Sequence, residues 1–411
     1  MIKAKITNKK TYILCIIAII IVMIPNLIAI RFAIFTPDDF GFSLAQEYAG
    51  NLLSIMLGRA FNPMVGLNYS VLRCELVVFY LLFVISLLLY SFLLISNIGV
   101  EQEKACIIST LMVCSFLFFG EYYELFFWWI GAVFYEIPAA IILLFLSISL
   151  VADGRKMKIL KIVSLSMALF VILLNVNPGT YSSFLANHDG EMSLFEGVFA
   201  TVFVFENSCK NYLKSTGFIL ILMIIFCLGM SADNRLAIVK NLRNRIWHIF
   251  IPVVCLFPMI YGREIFTLDR LPNRGEAIID LSVVWGFSII ALLLGAYVGE
   301  KSYGSLEKMK KILLCVCLVV FAINLRYSSD FEISKNVINR QLQTYSETWS
   351  SIYYICDNSQ EADLVIETSV PDRVEGCSHA KLRSKTTSEK NENVARFFGL
   401  NTVSLNNTYE K

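Results

Sequence analysis

Charge is scarce in this 411-residue chain: 17% of its residues are Asp, Glu, Lys or Arg, and the net charge is +2. So small and balanced a charge leaves no electrostatic footprint for nucleic acid. Histidine is rarer still, with three residues, and the eleven cysteines show no zinc or redox spacing. Cys315-Val316-Cys317 is too tight for a metal pair. Cys15, Cys106, Cys114, Cys227 and Cys255 fall in apolar runs, where a thiol behaves as a small hydrophobe. Cys356 and Cys377 alone share a polar segment, and there a disulfide and a reduced pair both stay open. No Gly-rich phosphate cradle follows a strand, which disfavours a nucleotide-driven reaction. No internal repeat or low-complexity stretch is present.

What the chain has in excess is apolar surface, with 56% hydrophobic and 13% aromatic residues and a mean hydropathy of +0.64. These values describe a polytopic membrane protein. Runs long enough for ~30 Å of hydrocarbon predict about nine spans, near 12–30, 75–95, 105–119, 137–152, 159–175, 216–231, 248–261, 280–299 and 311–325. Lys3, Lys5, Lys9 and Lys10 precede the first run, and no small-residue cleavage site follows it. This reads as an uncleaved signal anchor with a cytoplasmic N-terminus. Basic loops at 153–161, 232–247 and 300–311 belong on the cytoplasmic side. That topology requires Leu194 to Phe205, short for a span, to dip or lie flat, and it leaves the C-terminus outside.

The spans as drawn hold essentially no Asp, Glu, Lys, Arg or His in their interiors, which counts against an ion-coupled transporter. Polar work is then expected on the outer face, from 31–74, 120–136, 176–215, 262–279 and the tail 326–411. In Thr36-Pro37-Asp38-Asp39-Phe40-Gly41-Phe42, two adjacent carboxylates follow the first span. Asp38 and Asp39 suit a general-base pair, and equally a helix-capping turn leading into an amphipathic interfacial helix over Phe42 to Ala60.

Residues 120–138 mix aromatics with Glu121, Glu124 and Glu136. An aromatic belt accounts for Trp128, Trp129 and Tyr135 but does not require the acids, and the same rings make a platform for a sugar or an isoprenoid chain. His188 and Asp189, with Glu191 close by, fit a substrate-contacting loop; they would bind metal only with ligands from elsewhere, and no metal is expected. Arg263, Arg270 and Arg274 lie on the side where cations are disfavoured. They suit a phosphate, or pairing with Glu264, Asp269 and Glu276 in the same loop. The tail predicts one amphipathic helix over Glu332 to Ile355, a strand at 363–368 and a short helix over Asn391 to Gly399, together a small α/β appendage.

The Thr-Pro-Asp-Asp-Phe loop, the segment Phe127-Trp128-Trp129-x-Gly131-Ala132-x-x-Tyr135, the outer arginine loop and the tail Asn393-Val394-Ala395-Arg396-Phe397-Phe398-Gly399-Leu400 resemble multi-span glycosyltransferases of the GT-C type. Among these the chain is most similar to bacterial serotype-converting O-antigen glucosyltransferases. The resemblance implies an all-α membrane domain over 1–325 with a re-entrant or interfacial helix, and a periplasmic domain over 326–411. It implies residence in the bacterial inner membrane, with a sugar-lipid flippase and a donor-synthesising transferase as partners. It further implies inverting, metal-independent transfer of a hexose, glucose by analogy, from undecaprenyl phosphate to a lipid-linked glycan, without a cofactor. Asp38 or Asp39 would then take the acceptor proton and the outer arginines would stabilise the leaving phosphate. Two other classes remain. An O-antigen polymerase would share the arginines and lipid-linked substrates, and a non-enzymatic lipid or glycan translocase would need a polar path through the bundle.

Overall fold

The computed structural model describes residues 9–44, 67–120, 126–151, 158–175, 205–233, 238, 273–301, 306–371, 374–377, 380, 382, 384 and 386–407. An apolar chain in lipid must satisfy its backbone internally, and the described residues are accordingly mostly helical. Helix α1 (Lys9–Ile30) carries Pro25 inside it, and a short turn leads to α2 (Pro37–Leu44). Helix α3 (Tyr69–Ile98) starts at Asn68, whose side chain accepts from the Val71 N–H, and stops at Gly99 in the left-handed region with φ 110°. Helix α4 (Gln102–Phe119) follows. Helix α5 runs through Trp129–Gly131, a π turn at Ala132–Glu136, and Ile137–Val151.

Next come α6 (Lys158–Asn175), α7 (Phe205–Lys214), α8 (Thr216–Met230), α9 (Asn273–Lys301) and α10 (Leu306–Asn324). Every expected span is occupied by a helix except 248–261, which lies outside the described residues. By length and composition, Lys9–Ile30, Tyr69–Ile98, Gln102–Phe119 and Ile279–Glu300 can each cross a membrane. Among the described residues the number rises from 4 to as many as 6 if each bent pair is one span. One such pair is α7 and α8, which meet at 84°. The expected flat segment at Leu194 to Phe205 lies outside the described residues up to its last member.

Helix α4 sits centrally, packed on α1, α3, α8 and α9. Its Ser109 and Ser115 hydroxyls donate to the carbonyls of Ala105 and Leu111, which satisfies them without leaving the helix. Helices α8 and α9 come together through glycine. A Cβ on Gly229 would strike the Leu292 carbonyl, and one on Gly295 or Gly299 would strike the carbonyls of Phe226 or Met230. Small residues on both sides let two backbones touch. With Phe218 edge-on to Phe287 near one end and Met230 against Gly299 near the other, the two helices run parallel.

The tail holds α11 (Ser329–Ile338), α12 (Gln341–Asn358), strand β1 (Asp363–Thr368), α13 (Glu389–Phe397) and strand β2 (Thr402–Asn407). The single amphipathic helix expected over Glu332 to Ile355 is two helices. Arg340 adopts φ 59°, so the chain turns there, and α11 packs on α1 and α4 while α12 buries Tyr345, Trp349 and Tyr353. Strand β1 falls where expected, and β2, not anticipated from its short run, pairs with it in parallel, from Asp363 opposite Thr402 to Thr368 opposite Asn407. Gly399 (φ 71°) ends α13, with the Leu400 N–H donating to the Ala395 carbonyl at 2.8 Å. Cys356 and Cys377 are buried thiols without a disulfide. The apolar core of the tail is continuous with that of the bundle.

Candidate functional site

The segment between α1 and α2 is a capping box. Thr36 Oγ1 accepts from the Asp39 N–H at 3.3 Å, and Asp39 Oδ2 accepts from the Thr36 N–H at 2.7 Å. Pro37 takes the first helical position, where a missing N–H costs nothing. The other carboxyl oxygen of Asp39 accepts from the Ile130 N–H at 3.3 Å, in the first turn of α5. Trp128, which precedes that turn, offers no side-chain acceptor of its own. One carboxylate therefore serves two helix starts, and it is fully buried. Burial pushes the Asp39 carboxyl up to about 7; the bonds from Thr36 pull it down, the charge of Asp38 adds to the rise, and the bond from Ile130 opposes it.

Asp38 is the other kind of residue. Its side chain is 44% exposed, and its described charge partner is Lys390 of α13 at 3.9 Å, the outer limit of an ion pair. It sits in the first turn of α2, where the helix dipole favours negative charge. The rest of the motif fixes this turn against the tail. Phe40 is fully buried, with ring centroids 4.7 Å from Phe397, 4.9 Å from Tyr353 and 5.3 Å from Phe398. Gly41 lets α2 approach α13, because a Cβ there would lie 2.5 Å from the Asn393 side chain. The two motifs that are farthest apart in sequence thus form one contact.

The opening turns of α3 add groups that the sequence did not single out. Glu75 is half-buried and accepts from the Trp129 indole N–H at 2.9 Å. Arg73 donates to the Ala33 carbonyl at 3.3 Å and to Ser346 of α12 at 3.4 Å, and its guanidinium lies 5.6 Å from the Tyr69 ring centre. Arg31, exposed, is close enough for its charge to act on Arg73. The end of the bundle that carries α2 therefore gathers Asp38, Glu75, Arg31 and Arg73. A lone acid and a lone base at the start of an apolar run were the available signals for Glu75 and Arg73.

The expected ring platform is differently placed. Trp128, Trp129 and Tyr135 are 7%, 1% and 3% exposed, so their rings belong to the core of the bundle. Glu121, Glu124, His188, Asp189, Arg263 and Arg270 lie outside the described residues, as does the expected helix beyond Leu44. Arg274 falls in the first turn of α9. Among the described residues no group of three or more His, Cys, Asp or Glu side chains is arranged to hold a metal ion. Compared with known proteins, the chain matches no family model, no curated protein sequence and no solved structure.

Proposed function

We propose that this chain is an integral-membrane glycosyltransferase that moves a hexose from undecaprenyl phosphate to a lipid-linked glycan, with Asp38 as the general base. The observation that carries the reading is the division of labour between the two acids. Asp39 is consumed by the fold, whereas Asp38 reaches solvent from a rigid helix start. In the reaction the acceptor hydroxyl attacks the anomeric carbon, Asp38 takes its proton, and the bond from that carbon to the phosphate oxygen breaks with inversion. Undecaprenyl phosphate leaves, and cations at this end of the bundle stabilise its charge. Arg31 and Arg73 join Arg263, Arg270 and Arg274 as candidates for that role.

The orientation belongs to the same proposal. Lys104, paired with Glu101 at 3.2 Å and bonded to the Ser231 carbonyl, marks the opposite end of the bundle, the one with the basic loops. That end faces the cytoplasm by the charge rule, which puts α2 and the tail in the periplasm of a bacterial inner membrane. The test is glycan mass spectrometry in cells expressing wild type, Asp38→Asn and Asp38→Glu at equal levels. Asp38→Asn is expected to lower hexose addition by about 10²–10⁴-fold. Normal addition by Asp38→Asn would remove the assignment. A non-enzymatic translocase is the second reading. It gains from Glu136, a carboxyl inside α5 that the sequence placed just beyond a span starting at 137. Unchanged export in a deletion strain that has lost the hexose branch would eliminate it.

A further inference from the structure

At the end of the bundle that carries the basic loops, α1, α3 and α4 do not close on one another. They leave a cleft of about 360 Å³, with Cys15 and Ile16 of α1 on one wall, Ile85, Leu89 and Phe92 of α3 on a second and Cys106 of α4 on the third. Ile85 to Phe92 is about 10 Å of helix, so the cleft runs lengthwise between the helices. Ile16, Ile85 and Leu89 are exposed, and on helices this apolar an exposed face meets lipid. The cleft therefore opens sideways into hydrocarbon. Its walls are almost wholly apolar, which suits an alkyl chain and no sugar or free ion.

Two polar features narrow the kind of molecule that brings the chain. Thr110 lines the cleft from α4, is 6% exposed, and its hydroxyl finds no hydrogen-bond partner. Ser109 beside it donates to the Ala105 carbonyl, the usual outlet for a hydroxyl in a helix, and Thr110 does not. The Cys15 thiol in the same cleft is a weak hydrogen-bonding group. An ester carbonyl entering the cleft would give the buried hydroxyl an acceptor. The second feature is charge. Tyr12 lines the cleft, and Lys9, three residues before it, lies one turn nearer the start of α1 on the same face. Lys9 and Lys10 are exposed and make no ion pair among the described residues. Lys3 and Lys5 precede them in the sequence. Glu103, a turn before Cys106 on α4, is one acid against these lysines, so the mouth favours an anion.

We propose that the cleft between α1, α3 and α4 binds an anionic diacyl phospholipid, with one acyl chain along Ile85, Leu89 and Cys106, an ester carbonyl accepting from Thr110, and the phosphate paired with Lys9. A polyprenyl phosphate has no ester to offer Thr110. The site lies at the opposite end of the bundle from α2 and does not depend on the transfer reaction assigned above. Full-length protein, delipidated in detergent, would be titrated with dioleoyl phosphatidylglycerol, dioleoyl phosphatidylcholine or undecaprenyl phosphate and read by native mass spectrometry. Phosphatidylglycerol is expected to fill one site at a concentration about fivefold below that of either other lipid. Leu89→Trp, which fills the cleft from its lipid-facing wall, is expected to weaken that site by about tenfold or more, and Thr110→Val by about fivefold. The double variant Lys9→Gln/Lys10→Gln is expected to erase the preference over phosphatidylcholine. Equal retention of the two phospholipids by the wild type overturns the proposal, and so does phosphatidylglycerol binding unchanged in Leu89→Trp or a preference that survives the lysine variant. Tighter binding of undecaprenyl phosphate would give the cleft to an isoprenoid chain and overturn it as well. If Leu89→Trp does not fold, binding unchanged in Thr110→Val overturns it.

Discussion

Thr36 and Asp39 exchange hydrogen bonds, the Thr36 N–H donating to Asp39 Oδ2 at 2.7 Å and the Asp39 N–H donating to Thr36 Oγ1 at 3.3 Å. The exchange closes the first turn of α2 and turns one of two adjacent acids into a structural part. Its neighbour Asp38 is left facing outward, so the two positions should respond to mutation in separable ways.

Asp39→Asn sets an amide N–H₂ against a main-chain N–H, either that of Thr36 or that of Ile130. The expected cost is about 1–3 kcal/mol, and Thr36→Ala should cost about 1 kcal/mol. Because the two residues share one box, the double variant should lose less than the sum. Asp38→Asn should stay within about 0.5 kcal/mol of wild type. Denaturant titration of the detergent-solubilised protein, with all four variants in parallel, checks the pattern. An Asp38→Asn loss as large as that of Asp39→Asn would contradict it.

The raised Asp39 carboxyl makes a pH prediction. The folded state holds its proton up to about pH 7, whereas an unfolded aspartate releases it near 3.8. Between those values the native state binds the extra proton, so this group's contribution to stability is full below about pH 4 and is lost as pH rises through 7. The limiting slope is about 1.4 kcal/mol per pH unit. Asp39→Asn should flatten that part of the stability profile measured from pH 4.5 to 7.5. A wild-type minus variant difference that does not move with pH would refute the link.

Phe40 is the apolar bolt between the first loop and the tail. Replacing it with Ala removes a fully buried ring that meets Tyr353, Phe397 and Phe398, at an expected cost of about 3–5 kcal/mol. Limited proteolysis should then cut the region after Asn358 faster than in wild type, while cleavage of the loops at the basic end stays unchanged. Equal cutting rates would show that the tail is held elsewhere.

Two glycines should differ in how far they tolerate a methyl group. At Gly41 the obstacle is the Asn393 side chain, which can turn away, so Gly41→Ala should be mild and Asn393→Ala should rescue it. At Gly295 the obstacle is the main-chain carbonyl of Phe226, which cannot move without separating α8 from α9. Gly295→Ala should therefore destabilise by about 1–3 kcal/mol more than Gly41→Ala, with no single side-chain rescue. Size-exclusion yield and thermal unfolding of the pair give the comparison.

Much of the frame was legible in the linear chain. Apolar runs located eight of the described helices, with ends up to seven residues off as at Asn273 for an expected 280, because a segment in hydrocarbon has no option but to bond its own backbone. The start of α5 escaped, since Trp129 to Glu136 mixes rings with an acid and reads as an interface, although it continues the helix through a π turn. Thr36-Pro37-Asp38-Asp39 carried a readable capping signature, Thr at the cap, Pro at the first position and an acid at the third. Nothing local could disclose the second duty of Asp39, whose partner Ile130 lies far along the chain. Strand β2 escaped for the same reason, as six residues become a strand only beside β1.

Composition and periodicity by themselves determined that this chain is a helical membrane protein with a polar tail, because burial of apolar runs is a property of each segment alone. Which acid is buried and which is exposed, that Phe40 meets Phe397 and Phe398, and that Asp39 meets Ile130 were decided only by tertiary packing. These are distances between residues remote in sequence, and they are set by how whole helices fit against one another. The Asp38–Asp39 pair looks symmetrical in the sequence, and the arrival of α5 and α13 at α2 makes it unequal.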